Sequence, residues 1–161
     1  MFYVGRYLWV GILVMGRLTL ENFREAVTAQ GWKLTPQRIA IVEYVANALH
    51  HPTAEDICIH VNERFPMTSR ATVYNTLHLL RDYGLLQEIN EAGVIRFDPN
   101  IRDHHHFICT SCGSVRDIPQ ELVNIVFSAE ATDFEANDIE VVVRGRCVVC
   151  KSLGNVFVAT S

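Results

Sequence analysis

The sequence predicts an α+β chain in two parts: four helices closed by a β-hairpin, then a smaller α/β module. Three observations predict it. The apolar period changes from 3.6 to 2 just after Gly84, where helices give way to strands. Charge is uneven, since residues 1–90 are balanced and residues 91–161 carry the whole net charge of −4. Four of the five cysteines fall in two Cys-x-x-Cys pairs, both in the acidic part. At 161 residues, 49% apolar and 20% charged, the chain fits one ordinary domain or two small packed ones. That composition excludes the disordered and low-complexity classes. The net negative charge provides no global basic field, so any contact with nucleic acid must be local.

Residues 1–16 form an apolar extension. Its uncharged run, 7–16, is ten residues, far short of the ~20 that span a bilayer. Arg6 precedes it as in a secretory signal, but no A-x-A-like site follows. Met15 stands directly before Gly16-Arg17-Leu18-Thr19, where a soluble pattern begins, so the expectation is translation from Met15. The alternative is a real apolar strand or helix. Beyond it, residues 17–97 read as the helical module with its hairpin, 98–103 as a hinge, and 104–161 as the second module.

Each element has a local reason. Leu20, Phe23 and Val27 recur at helical spacing from Thr19 to Gln30, and Gly31 stops them. Thr35-Pro36 is an N-cap followed by proline at the first helical position. Ile39, Ile41, Val42, Val45, Ala48 and Leu49 then make a wide apolar face, broken by His50-His51-Pro52. Thr53 caps a third helix, with Glu55 and Asp56 in its first turn, where the helix dipole favours carboxylates. Ser69 (or Thr68) caps a fourth, whose buried stripe is Val73, Leu77 and Leu80. Residues 86–89 and 94–97 alternate around Asn90-Glu91-Ala92-Gly93 as a hairpin. Helices followed by a small hairpin fit a winged helix-turn-helix. Further on, 104–109 reads as a strand, 120–129 as a helix and 138–144 as a strand.

The fourth helix has two faces. Arg70, Tyr74, Asn75, His78 and Arg81 lie outward. Arginine pairs with guanine or phosphate, asparagine with adenine, and tyrosine with phosphate or a thymine methyl. The helix before it would lie across it as in a helix-turn-helix, and Lys33 and Arg38 add candidate phosphate contacts. A solvated polar face on a packed helix is the competing explanation.

Two further clusters carry metal chemistry. Cys109-Thr110-Ser111-Cys112 and Cys147-Val148-Val149-Cys150 are knuckles that suit one tetrahedral zinc. An odd cysteine count argues against a secreted disulfide framework and for a reducing cytosol. Cys58 stands alone as a small buried apolar residue. Asp103-His104-His105-His106 precedes the first knuckle. On a strand His104 and His106 share a face and His105 points away. Asp98, Asp117 and His51 could complete a set of three nitrogens and two oxygens, suited to Fe(II), Mn(II) or Zn(II). A polar strand edge is the alternative. His50, His60 and His78 are read as surface residues.

The runs Leu34-Thr35-Pro36-Gln37-Arg38, His51-Pro52-Thr53-Ala54-Glu55-Asp56-Ile57 and Ala71-Thr72-Val73-Tyr74-Asn75-Thr76-Leu77 occur in this order. Arg96-Phe97-Asp98, Asp103-His104-His105-His106-Phe107-Ile108-Cys109 and both knuckles follow. From Leu20 to Cys150 the chain resembles the ferric uptake regulator family. The resemblance implies a homodimeric, cytoplasmic, metal-dependent transcriptional repressor, with an N-terminal winged helix and a C-terminal α/β dimerisation domain. It implies structural zinc on Cys109, Cys112, Cys147 and Cys150. It also implies a recognition helix over 69–83, with Tyr74 on DNA; Arg70, Thr72 and Asn75 are the further candidate DNA contacts on that helix.

Within the family, the peroxide-sensing branch places Fe(II) or Mn(II) on three histidines and two aspartates. That pattern carries over onto His51, Asp98, His104, His106 and Asp117. The iron-sensing branch usually has Glu at the position of Asp117 and Asp at that of His105, and often a later histidine; none follows His106 here. The resemblance therefore implies a repressor of a palindromic AT-rich operator that responds to peroxide through metal-catalysed oxidation of His51 or His104. An iron- or zinc-responsive uptake repressor is the alternative. A metalloenzyme would need an acid/base partner or substrate motif that does not accompany these ligands. A purely structural zinc protein would leave the Arg70/Tyr74 face unexplained.

Overall fold

A computed structural model describes residues 16–91, 93–127 and 139–152, which form two compact units dividing between Arg102 and Asp103. The apolar extension before Gly16 lies outside the described residues.

In the first unit, α1 (Leu20–Ala29) begins at a capping box: Thr19 accepts from the Asn22 N–H and Asn22 accepts from the Thr19 N–H. Helix α2 (Pro36–Asn47) starts with Thr35 as cap and proline in the first turn. It stops short of Leu49, because Ala48 has left helical geometry ahead of His50-His51-Pro52. Ala48 stays buried while Leu49, expected on the apolar face, is 98% exposed. The Arg17 guanidinium donates to the Ala46 and Ala48 carbonyls and so satisfies that helix end.

Helix α3 (Ala54–Arg64) opens with a second capping box, Thr53 with Asp56. Asn62 then clamps the turn into α4 through the Thr68 N–H and carbonyl. Ser69 caps α4 (Arg70–Asp82). Strands β1 (Gln87–Glu91) and β2 (Val94–Asp98) pair antiparallel, Glu91 opposite Val94, with Gly93 at φ 84° in the turn. Phe23, Ile41, Val45, Ile57, Leu77, Leu80 and Phe97 meet in one apolar core.

The second unit holds a three-stranded sheet, order β4-β3-β5. Strand β3 (His104–Cys109) runs antiparallel to β4 (Val115–Pro119) and parallel to β5 (Val142–Gly145). A short helix, α5 (Val148–Ser152), follows. The expected helix over 120–129 is corrected: only a 3-10 turn forms at Gln120–Leu122, and Val123 is already extended. Its β-branched Val123, Ile125 and Val126 disfavour helix, no side chain caps it, and Leu122 and Val126 are exposed rather than packed. Residues 128–129 lie outside the described residues. The strand expected over 138–144 runs instead from Val142 to Gly145, where it pairs with His106–Cys109; Asp138 also lies outside. Among the described residues no helix is long and apolar enough to cross a membrane.

Candidate metal centres and nucleic-acid interface

The pairing of Cys109 with Gly145 sets the two knuckles side by side. The first is a tight turn in which Gly113 (φ 69°) donates to the Cys109 carbonyl. The second lies at the start of α5. All four sulfurs lie within 4.8 Å of one another, and Cys112 and Cys147 are 3.9 Å apart. Four sulfurs about 2.3 Å from one tetrahedral ion stand about 3.8 Å apart, so the donor set fits zinc.

Local N–H groups prepare the thiolates. The Cys147 N–H, 3.3 Å from Cys109 Sγ, and then the Cys112 N–H draw the Cys109 thiol down to about 6. Ser114 lowers the Cys112 thiol as well. Contacts with the Cys147 and Cys112 sulfurs push Cys150 up to about 12. Metal binding must displace the protons that remain. Cys58 is half-buried in α3, where the Asn62 amide lies 3.4 Å from its sulfur.

The ladder between β3 and β4 puts Asp117 directly opposite His106, with His104 two residues along on the same face. His104 Nε2 lies 2.9 Å from His106 Nε2 and 3.9 Å from Asp117 Oδ1. Two nitrogens about 2.1 Å from one ion and at right angles would be about 3.0 Å apart, so the pair fits adjacent coordination positions. His105, on the other face, is buried; its Nδ1 accepts from the Val141 N–H at 3.4 Å, a local role that the alternation along the strand does not indicate.

In the first unit, His51 Nε2 lies 3.5 Å from Asp98 Oδ2, and both residues are buried. The loop from α2 to α3 runs along β2 like an extra strand: Phe97 donates to the Pro52 carbonyl, and Thr53 bridges Arg96. The Arg96 guanidinium donates to the His51 carbonyl at 3.0 Å. Arg96 is thus a supporting residue that sequence reasoning missed. It stands within the run Arg96-Phe97-Asp98, yet spacing carries no signal of a reach across 45 residues.

On α4, Arg70, Tyr74 (44% exposed) and Asn75 face solvent, as does Lys33. Arg70 is held by Glu55 of α3 at 2.7 Å. Two expected contacts are engaged locally: the Thr72 hydroxyl lies 2.9 Å from that of Ser69, and Arg38 donates to the Lys33 carbonyl. Arg81, read from sequence as outward, pairs with Asp82 and with Glu88 of β1, tying helix to wing.

A winged helix with a polar recognition face, in one chain with a thiol cluster and histidine–carboxylate pairs, defines a metal-dependent DNA-binding transcriptional regulator. The chain belongs to the ferric uptake regulator family, which matches residues 29–144. It is 36% identical over 139 residues to the Peroxide operon regulator of Bacillus subtilis, covering 84% of this chain and 96% of that protein. It is 34% identical over 139 residues to the Peroxide-responsive repressor PerR of Staphylococcus epidermidis, covering 84% and 93%. The fold is that of the ferric uptake regulator Fur of Helicobacter pylori, at a TM-score of 0.69 and 20% identity over 85% of this chain and 97% of that one. These relatives carry names of regulators, not of enzymes.

Proposed function

We propose that the chain is a homodimeric, cytoplasmic repressor that binds a palindromic AT-rich operator when a regulatory Fe(II) or Mn(II) is bound, and releases it on exposure to peroxide. Structural zinc is held by Cys109, Cys112, Cys147 and Cys150. The regulatory ion is held by His51 and Asp98 of the first unit with His104, His106 and Asp117 of the second. One observation carries the reading: each unit holds a partial donor set, and neither alone fills the shell of such an ion. An ion joining the two sets favours one arrangement of the DNA-binding units, so occupancy shifts the population toward the DNA-competent form.

Asp117, where the iron-sensing branch usually has Glu, and the names of the two peroxide-responsive relatives support the peroxide reading. Iron, when bound, would let peroxide oxidise a ligand ring: one peroxide oxygen enters a C–H bond of the imidazole of His51 or His104, the ring keeping the hydrogen on oxygen or nitrogen, and the other oxygen leaves as water. The damaged ring no longer serves as a ligand, and the operator is freed. Exposed apolar residues in the second unit, among them Leu122, Val126, Val143 and Val148, support a second copy as partner there.

The test is a gel shift on such an operator with Fe(II), Mn(II) or Zn(II), before and after brief exposure to low peroxide. The Fe(II) form should lose DNA and gain one oxygen on the peptide holding His51 or His104, while the Mn(II) form resists. Asp117→Glu should keep iron-dependent binding and blunt the peroxide response. An Fe(II) form that stays on DNA with unmodified histidines rejects the peroxide reading in favour of an iron-uptake repressor.

A further inference from the structure

We propose that Glu140 is a positioning residue for the regulatory ion: its carboxylate fixes the tautomer and ring orientation of His106, so that Nε2 faces the metal. This inference rests on the regulatory-metal reading above. Nothing in the five-ligand pattern includes Glu140, which lies 34 residues beyond His106 in the chain.

The geometry assigns the role. His106 is 2% exposed, with Nδ1 3.3 Å from Glu140 Oε1 and Nε2 2.9 Å from His104 Nε2. A neutral imidazole carries hydrogen on one nitrogen only, and an ionised carboxylate only accepts. The nitrogen beside Glu140 is therefore the N–H, which leaves the Nε2 lone pair on the face shared with His104 and Asp117. His104 then donates its own Nε2 hydrogen across the 2.9 Å contact, and to ligate an ion through that nitrogen it would shift the proton to its Nδ1 or release it to solvent. Carboxylate–histidine pairs behind a metal orient the ligand and raise its basicity.

The backbone keeps Glu140 in place. His106 N–H donates to the Val141 carbonyl at 3.0 Å, the Val141 N–H donates to His105 Nδ1, and Val142 then pairs with His106 in the sheet. Strand β5 runs from there to Gly145, two residues before Cys147, so the segment that supports the histidine also leads into the second knuckle.

The test uses the full chain with zinc on its cysteines. Glu140→Ala is compared with the parent and with Glu121→Ala, an exposed carboxylate of the same unit. Two readouts are taken: the ¹⁵N shifts of the His106 ring without regulatory metal, at a pH where the ring is neutral, and Mn(II) affinity by competition. The parent should show hydrogen on Nδ1. Glu140→Ala should populate the Nε2–H form and weaken Mn(II) about tenfold, the low end for such partners because Glu140 is 57% exposed. Zinc content and melting should not change, and Glu121→Ala should match the parent in both readouts. Unchanged ring shifts in Glu140→Ala, Mn(II) affinity within twofold of the parent, or an equal loss in Glu121→Ala each overturn the proposal. A parent that binds no Mn(II) breaks the metal reading instead, and the ring shifts then decide alone whether Glu140 sets the tautomer.

Discussion

The two units reach a fold by different means. The first buries Phe23, Ile41, Val45, Ile57, Leu77, Leu80, Leu86 and Phe97 in one contiguous core. The second, among its described residues, buries only Ile108, Cys109, Val115 and Cys147 as apolar side chains, beside His105 and His106. Apolar burial is worth about 25 cal/mol per Å², so the first unit has ample driving force and the described part of the second very little. A sheet with so small a core needs a staple, and four converging thiols are one. The first unit is thus built to fold on its own sequence, while the second is built to depend on what its four cysteines bind.

The largest expected effect follows from that contrast. Removing zinc with a chelator, or by Cys112→Ser, should unfold the second unit and leave the first intact. Structural zinc contributes roughly 10–16 kcal/mol of apparent binding energy in small zinc domains, and that energy is folding energy. Amide exchange would show protection lost across β3–β5 and kept in α2–α4. Protection surviving on β3 in a zinc-free chain would break the comparison.

Next in size is the reverse experiment. Leu77→Ala removes a fully buried side chain from the first core and should cost about 2–5 kcal/mol. Zinc content should stay at one per chain. If zinc is lost along with the first core, the units do not fold by separate means.

Smaller still are the contacts to DNA. Arg70→Ala and Tyr74→Ala should each weaken operator binding by about 1–3 kcal/mol, without changing zinc content or dimerisation. Arg70 is held by Glu55 before any DNA arrives, and an exposed ion pair is worth only about 0–1 kcal/mol. Operator phosphates or bases can therefore displace it. Unchanged affinity of both variants at physiological salt would show that α4 is not the reading helix.

What the sequence reveals divides along the same line. Thr35, Thr53 and Ser69 cap α2–α4 as expected, because a cap is decided within three residues, and Thr19 caps α1 in the same way. The hairpin is legible because a change of period is local. Convergence of the cysteines is legible because each knuckle declares itself by spacing. The segment 120–129 misleads because apolar residues at helical intervals form a helix only against a surface that buries them, and Leu122 and Val126 have none among the described residues of the unit. Leu49 misleads for a related reason: apolarity continues past the point where His50-His51-Pro52 ends the helix. Arg96 and Glu140 escape entirely, since each acts on a histidine far along the chain and neither sits at a diagnostic interval.

The smallest effect concerns acid and sharpens the comparison from the other side. Asp56 accepts from the Thr53 N–H at 2.8 Å and from its hydroxyl at 2.7 Å. These bonds, the backbone one foremost, hold its carboxyl below the ordinary value of 3.8. A carboxyl whose folded value lies below its unfolded one stabilises the fold above the unfolded value, and the benefit fades as pH falls through the folded value. Asp56→Ala should therefore cost about 1 kcal/mol at neutral pH, the usual size for a lost cap. The deficit should shrink below about pH 4 and vanish once the parent's carboxyl is protonated. Thermal melts of the first unit at pH 7 and pH 3 measure it. The second unit should already have failed by then, because zinc thiolates take up protons and release their metal on acidification. A deficit that persists undiminished at pH 3 would mean that Asp56 acts by shape and not by charge. A second unit that outlasts the first in acid would reverse the order of dependence altogether.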